Sequence, residues 1–202
     1  MSNTRNFSGK VVLITGSSSG IGAEAAIEFS RLGANVAITG RNDRNLSSVA
    51  QQVVNVSPKG LKPLQVVADI SKPEDCNRLI DETIKSFGKL DVLVNNAGRA
   101  DACSSVTDPD ILNKYQNQMD TDLRSVIYLT HLSVKHLEKT KGNIINISSV
   151  AGLKPVSYLI NLILFIKITI KTIDVNNFPY LYLHMLEKNI FNIYATILLL
   201  LI

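Results

Sequence analysis

Val11-Val-Leu-Ile-Thr-Gly16-Ser-Ser-Ser-Gly20-Ile-Gly22 is the stretch whose reading decides the fold. Val11 to Ile14 is an unbroken apolar run with three β-branched residues, the pattern of a strand covered on both faces in a parallel sheet. The run stops at Thr15-Gly16, and an apolar helical face follows with Ile21, Ala25, Phe29 and Leu32. Gly16, Gly20 and Gly22 stand at the junction. Gly16 permits a tight turn, Gly20 lets the backbone approach a pyrophosphate, and Gly22 lets the helix pack closely on the strand. Together with Ser18, Ser19 and Ile21 they form a candidate phosphate loop for a dinucleotide, set against the free N–H groups and positive end of the helix.

The same alternation continues outward. The first helix closes at Leu32-Gly33, a second strand runs from Asn35 to Thr39, and Asn42 caps a helix with Leu46, Val49, Ala50 and Val53 on one face. Pro58-Lys-Gly60 is a turn, and Leu64 to Ala68 is a third strand. Ser71-x-x-Glu74 reads as a capping box, opening a helix with the stripe Cys76, Leu79, Ile80, Thr83, Ile84, Phe87 and closing at Gly88. A fourth strand, Leu90 to Val94, ends in Asn95-Asn-Ala97-Gly98, small residues that let the backbone lie against a flat ligand. A long amphipathic helix over about 109–139 and a fifth strand, Asn143 to Ile147, complete the alternation. The fold class is α/β, a Rossmann-type doubly wound parallel sheet, incomplete at its C-terminal side.

Thr15-Gly-x-x-x-Gly-Ile-Gly22, Asn95-Asn-Ala-Gly98 and Asn146-Ile-Ser-Ser149, in this order, resemble the short-chain dehydrogenase/reductase family over about 155 of the 202 residues. The resemblance implies a nicotinamide cofactor and a small-molecule carbonyl or alcohol substrate, with Ser149 polarising the carbonyl. It places Asp69 and Ile70 beside the adenine ring; Asp69 equally suits a cap for the following turn. At the end of the second strand an acidic residue would bond the ribose 2′-hydroxyl of NAD, but the chain has Gly40-Arg41, and a guanidinium suits the 2′-phosphate of NADP. The alternative for Arg41 is a solvated surface arginine. The resemblance further implies homo-oligomers through helix 109–139, and an Asn on that helix that holds a proton-relay water. Asp122 stands at the matching position, and an ionised carboxylate only accepts hydrogen bonds. The alternative is a plain helix carboxylate.

The family's Tyr-x-x-x-Lys pair, in which the ammonium lowers the tyrosine pKa, has no counterpart. Four residues after Tyr115, Tyr128, Tyr158, Tyr180, Tyr182 and Tyr194 stand Met119, Leu132, Leu162, His184, Leu186 and Leu198. Composition changes near Pro155: residues 156–202 hold none of the 11 glycines and are dominated by Ile and Leu. The expected division is a cofactor-binding domain over 1–155 and an apolar tail over 156–202 that reads as intron read-through. Its longest apolar runs fall short of the ~18–20 residues a membrane span needs.

A formal charge of +4 with scattered basic residues excludes a nucleic-acid stripe. Cys76 and Cys103 have neither metal nor redox spacing, so no metal site is expected and the thiols read as reduced, in a cytoplasmic protein. Function thus reads as an NADP(H)-dependent oxidoreductase impaired in turnover. The alternatives are a truncated, non-catalytic cofactor-binding product and, third, a membrane-associated interaction protein.

Overall fold

The computed structural model describes residues 6–99 and 107–148. Ser149, Cys103 and the whole segment 156–202 lie outside the described residues. The described chain runs β1 (Val11–Ile14), α1 (Gly20–Arg31), β2 (Asn35–Gly40), α2 (Asp43–Val56), β3 (Leu64–Val67), α3 (Pro73–Phe87) and β4 (Val92–Asn95). It continues through α4 (Ile111–Met119), a π-helical turn (Asp120–Arg124), α5 (Ser125–Thr140) and β5 (Asn143–Asn146). The strands form one parallel sheet in the order β3-β2-β1-β4-β5.

β1 is central because both of its faces are apolar. Val12 and Ile14 enter the layer filled by α1 and α2, and Val11 and Leu13 enter the layer filled by α3 and α5. The chain winds outward from β1 to β3, then crosses back to β4 on the other side of β1. The two directions part between β1 and β4, at the strands' C-terminal ends, where open α/β sheets bind ligands.

Local signals set most element ends. The Asn42 side chain accepts the Asn45 N–H at 2.9 Å and starts α2. Gly88, at φ 75°, closes α3. The capping box expected at Ser71 does not form. The Asp69 carboxylate takes both the N–H and the hydroxyl of Ser71, so α3 starts one residue later, with Lys72 at the cap and Pro73 in the first turn.

The helix expected over 109–139 is interrupted by the π-helical turn. Around it, Thr121 Oγ1 donates to the Asn117 carbonyl at 3.0 Å, and Ser125 Oγ donates to the Thr121 carbonyl. The helix reads as amphipathic with Leu112 and Ile127 among its apolar residues, yet these two are 77% and 56% exposed and stand outside the core.

At the opposite end of the sheet a buried carboxylate joins β1 to β4. Asp91, 3% exposed, accepts the Val11 N–H at 2.9 Å, Lys10 Nζ at 2.9 Å and Lys89 Nζ at 3.0 Å. Burial works against its charge, but Lys10, the Val11 N–H and Lys89 outweigh it and hold the carboxyl below the usual carboxylate range. Asp91→Ala leaves the Val11 N–H unpaired in the core and is expected to cost about 1–3 kcal/mol by chemical denaturation at pH 7. Because the folded pKa is the lower one, the wild-type advantage is fully present above the unfolded pKa of about 4 and is lost as pH falls through the folded value. A difference that widened in acid would contradict this assignment.

Candidate functional site

The loops leaving β1 and β4 are joined by one hydroxyl. Thr15, 1% exposed, accepts the Asn96 N–H at 2.9 Å and the Ala97 N–H at 3.0 Å through Oγ1, which also lies 3.3 Å from the Val94 carbonyl oxygen it donates to. Asn96 answers with its amide, donating to the carbonyls of Thr15 at 2.9 Å and Gly16 at 3.2 Å. The two loops meet so closely that a Cβ on Gly16, which has φ +63°, would lie 2.7 Å from Ala97 Cα. Gly22 is equally confined: its Cβ would lie 2.5 Å from the Gly16 carbonyl oxygen. Gly20, by contrast, opens onto space, with nothing within 4 Å of an added Cβ.

Ser17 is buried and fastens the loop to β2, donating to the Ile14 carbonyl at 2.8 Å and accepting the Thr39 N–H at 2.9 Å. Ser18 and Ser19 face outward into a cleft of about 300 Å³. Ser19 precedes α1 without capping it through its side chain, which leaves the first N–H groups of the helix without a side-chain partner.

Four loops at the strand ends surround that cleft. The loop after β1 supplies Gly16, Ser18, Ser19 and Ile21, and the end of β2 supplies Thr39, Gly40 and Arg41. The loop after β3 supplies Ala68, Asp69 and Ile70, the loop after β4 supplies Asn96 to Arg99, and Thr121 comes from the π-helical turn. Of the residues expected at the site, Gly20, Gly22 and Asn95 are not on this lining. Asn95 is buried in the sheet, its amide donating to Asn146 Oδ1 at 2.9 Å.

Thr39, Ala68, Asn96, Arg99 and Thr121 line the cleft unforeseen. Asn96 stands within the Asn95–Gly98 motif, whereas nothing local in the sequence marks Thr121. Asp69 lies on the wall and also closes the turn, its Oδ1 accepting the Ser71 N–H at 3.1 Å and the Ser71 hydroxyl at 2.7 Å. Asp122, on the π-helical turn, accepts the Arg99 N–H at 2.7 Å, so the carboxylate grips the far end of the β4 loop. Cys76 donates through Sγ to the Ile70 carbonyl at 3.2 Å, and burial pushes its thiol up to about 11, well away from nucleophilic use. Among the described residues no cluster of His, Cys, Asp or Glu is placed to hold a metal ion.

Residues 10–161 of the chain match the profile of the short chain dehydrogenase family. The chain is a member of that family. The match continues past Pro155, where the composition changes. This short chain dehydrogenase is 41% identical over 152 residues to 11-beta-hydroxysteroid dehydrogenase A of Arachis hypogaea, covering 75% of the chain and 43% of that relative. Among solved structures, glucose dehydrogenase of Caenorhabditis elegans in its apo form superposes with a TM-score of 0.62 at 41% identity, covering 72% of the chain and 56% of that protein. L-sorbose reductase from Gluconobacter frateurii, complexed with NADPH and L-sorbose, superposes with a TM-score of 0.72 at 30% identity, covering 78% and 59%.

The chain therefore spans less than half the length of the curated relatives it matches. The parallel sheet with helices on both faces is shared with these structures. No helix among the described residues is long and apolar enough to cross a membrane.

Thr15→Val keeps the shape of the side chain and removes the bridge, leaving the Asn96 and Ala97 N–H groups without their shared acceptor. The expected loss of unfolding free energy is about 2–4 kcal/mol, at roughly 1–2 kcal/mol for each group left unpaired. Thr15→Ser should recover most of it. Equal stability of the valine and serine variants would remove the hydroxyl from this role.

Proposed function

We propose that this short chain dehydrogenase binds NADP(H) and belongs to an oxidoreductase of ketones or secondary alcohols. The observation that carries the reading is the end of β2. A Cβ on Gly40 would lie 2.5 Å from Ser18 Oγ, so the position where an acidic side chain would receive a ribose 2′-hydroxyl is filled by Ser18. Arg41 follows on the cleft wall, and among the described residues its guanidinium has no carboxylate partner. The donor set suits a phosphorylated dinucleotide: the open side of Gly20, the uncapped N–H groups of α1, the hydroxyls of Ser18 and Ser19, and Arg41.

In this reading Gly16 to Gly22 hold the pyrophosphate, Arg41 the 2′-phosphate, and Asp69 and Ile70 the adenine side. Asn95, Ala97 and Gly98 support the nicotinamide side, and Ser149 donates a hydrogen bond to the substrate oxygen. The bound cofactor supplies hydride; the chain's own residues orient it and the carbonyl. The NADPH in the L-sorbose reductase complex supports the choice of cofactor. NADPH is expected to bind more tightly than NADH by tenfold or more, as a charge-assisted contact worth about 1.5–3 kcal/mol implies, and Arg41→Asp should reverse the order. A preference under twofold in a fluorescence titration would overturn the assignment.

A proton must reach the nascent alkoxide, and the 202 residues contain no Tyr-x-x-x-Lys. Asp122 accepts a backbone N–H instead of offering a proton. Missing general acid catalysis lowers rates by about 10²–10⁴, so the 202-residue polypeptide is expected to oxidise NADPH with carbonyl substrates at background. Replacing residues 156–202 by a family-like segment carrying Tyr-x-x-x-Lys should restore activity. Turnover of about 1–10 s⁻¹ by the unaltered polypeptide, ordinary for an intact enzyme, would reveal a proton donor elsewhere. Background turnover together with tight NADPH binding is the outcome that favours the second reading, a cofactor-binding protein without catalysis.

The same proposal includes a cytoplasmic setting and self-association through the long helix. Leu112, Tyr115 and Ile127 stand exposed along it, a surface suited to a second copy of the chain. Ile127→Asp is expected to shift a dimer to monomer in sedimentation velocity; a monomeric wild type would contradict this.

A further inference from the structure

The wall formed by Asp69 and Ile70 is held from behind by α3. Asp75, in the first turn of that helix, accepts the Asp69 N–H through Oδ2 at 2.8 Å. Its other oxygen takes Arg78 Nη2 at 2.7 Å, and the same nitrogen donates to the Val67 carbonyl at 2.8 Å. One carboxylate–guanidinium pair thus grips the last residue of β3 and the peptide two residues beyond it. Cys76 adds a third anchor, its Sγ donating to the Ile70 carbonyl.

With the Asp69 N–H and the Ile70 carbonyl both committed to α3, the orientation of this segment is fixed. Asp69 Oδ1 is committed as well, to Ser71, and these contacts leave Oδ2 as the carboxylate oxygen available to the cleft. The Asp69 N–H and Arg78 also hold the Asp75 carboxyl below its usual range, so it acts as an anionic acceptor at neutral pH. Neither Asp75 nor Arg78 lines the cleft.

We propose that Asp75 and Arg78 are positioning residues for the purine end of the cofactor, setting the affinity and base discrimination of the Asp69–Ile70 wall without touching the ligand. The proposal rests on the dinucleotide reading above. A pair that served only to begin α3 would influence all ligands of the cleft alike. A pair that positions the wall influences only ligands that carry the base.

Three probes separate these roles in fluorescence titrations of the 202-residue chain: NADPH, its deamino analogue with an oxo group on the purine, and reduced nicotinamide mononucleotide, which lacks the adenosine half. Wild type is expected to prefer NADPH over the deamino analogue. Asp75→Ala and Arg78→Met should each weaken NADPH about 5–10-fold and bring the two dinucleotides to within twofold of each other. The mononucleotide should be unaffected, which also shows that the variants are folded. Asp75→Asn keeps an acceptor for the Asp69 N–H and should retain most of the discrimination.

An unchanged ratio of NADPH to deamino-NADPH affinities in either variant would overturn the proposal, as would a parallel loss of dinucleotide and mononucleotide binding in the asparagine variant. Wild type binding none of the three probes would overturn the cofactor reading and this proposal with it. Wild type binding that responds to Arg41→Asp but not to Asp75→Ala would overturn this proposal alone.

Discussion

The Thr15 hydroxyl is the interaction on which the rest of the site depends. It stands where the winding of the sheet reverses, between two parallel strands that belong to opposite halves of the fold. Parallel neighbours leave their next loops diverging at this edge, and nothing in strand pairing itself brings those loops together. One buried oxygen that accepts two successive N–H groups does so, and Asn96 completes the joint in the other direction. The tight approach then explains the glycines: Gly16 and Gly22 occur where backbone meets backbone, and only Gly20 faces open space.

From that joint the cleft is built by supports of a similar kind. Each wall is a short backbone segment fixed by a side chain outside the cleft: Ser17 on Thr39, Asp75 on Asp69, Asp122 on Arg99. The polar groups facing inward include the uncapped end of α1, the serine hydroxyls and Arg41, a cationic and donor-rich set across from the Asp69 wall. Such a set stabilises phosphate oxygens because its dipoles are already oriented before the ligand arrives. The opposite end of the sheet carries the buried Asp91, whose three donors close the other end of the β1–β4 seam. The seam is therefore fastened at both ends, with apolar packing between.

Features set by near neighbours in the chain were legible from the residues. The apolar run Val11–Ile14, the Asn42 cap and the Gly88 stop all act within a turn or a strand, and the structure places them as the pattern implies. What escaped is set across distance or by competition. Ser71 has the right chemistry for a cap, but a carboxylate two residues earlier reaches it first. The stripe on helix 109–139 is continuous in sequence, yet the π-helical turn and the neighbouring layers decide which of its residues are covered, and Leu112 and Ile127 are not. Thr121 reaches the cleft only because that turn brings it there. The close approach of the glycine loop to Asn-Asn-Ala-Gly was readable because glycine and small residues mark such contacts; the supports behind the walls were not, since an Asp on a helix looks the same whether it grips a backbone or faces water.

Mapping of backbone amide resonances during titration with NADPH tests the central claim most directly, that the cofactor lies across the joint made by Thr15. The account predicts that the largest shifts fall on Gly16 to Gly22, Arg41, Asp69, Ile70, Ala97 and Gly98, with Tyr115, Tyr128 and His131, which line a second groove beyond Ile70, unchanged. Shifts concentrated in that groove around Tyr115, Tyr128 and His131, with the Gly16–Gly22 amides unmoved at saturation, would contradict it.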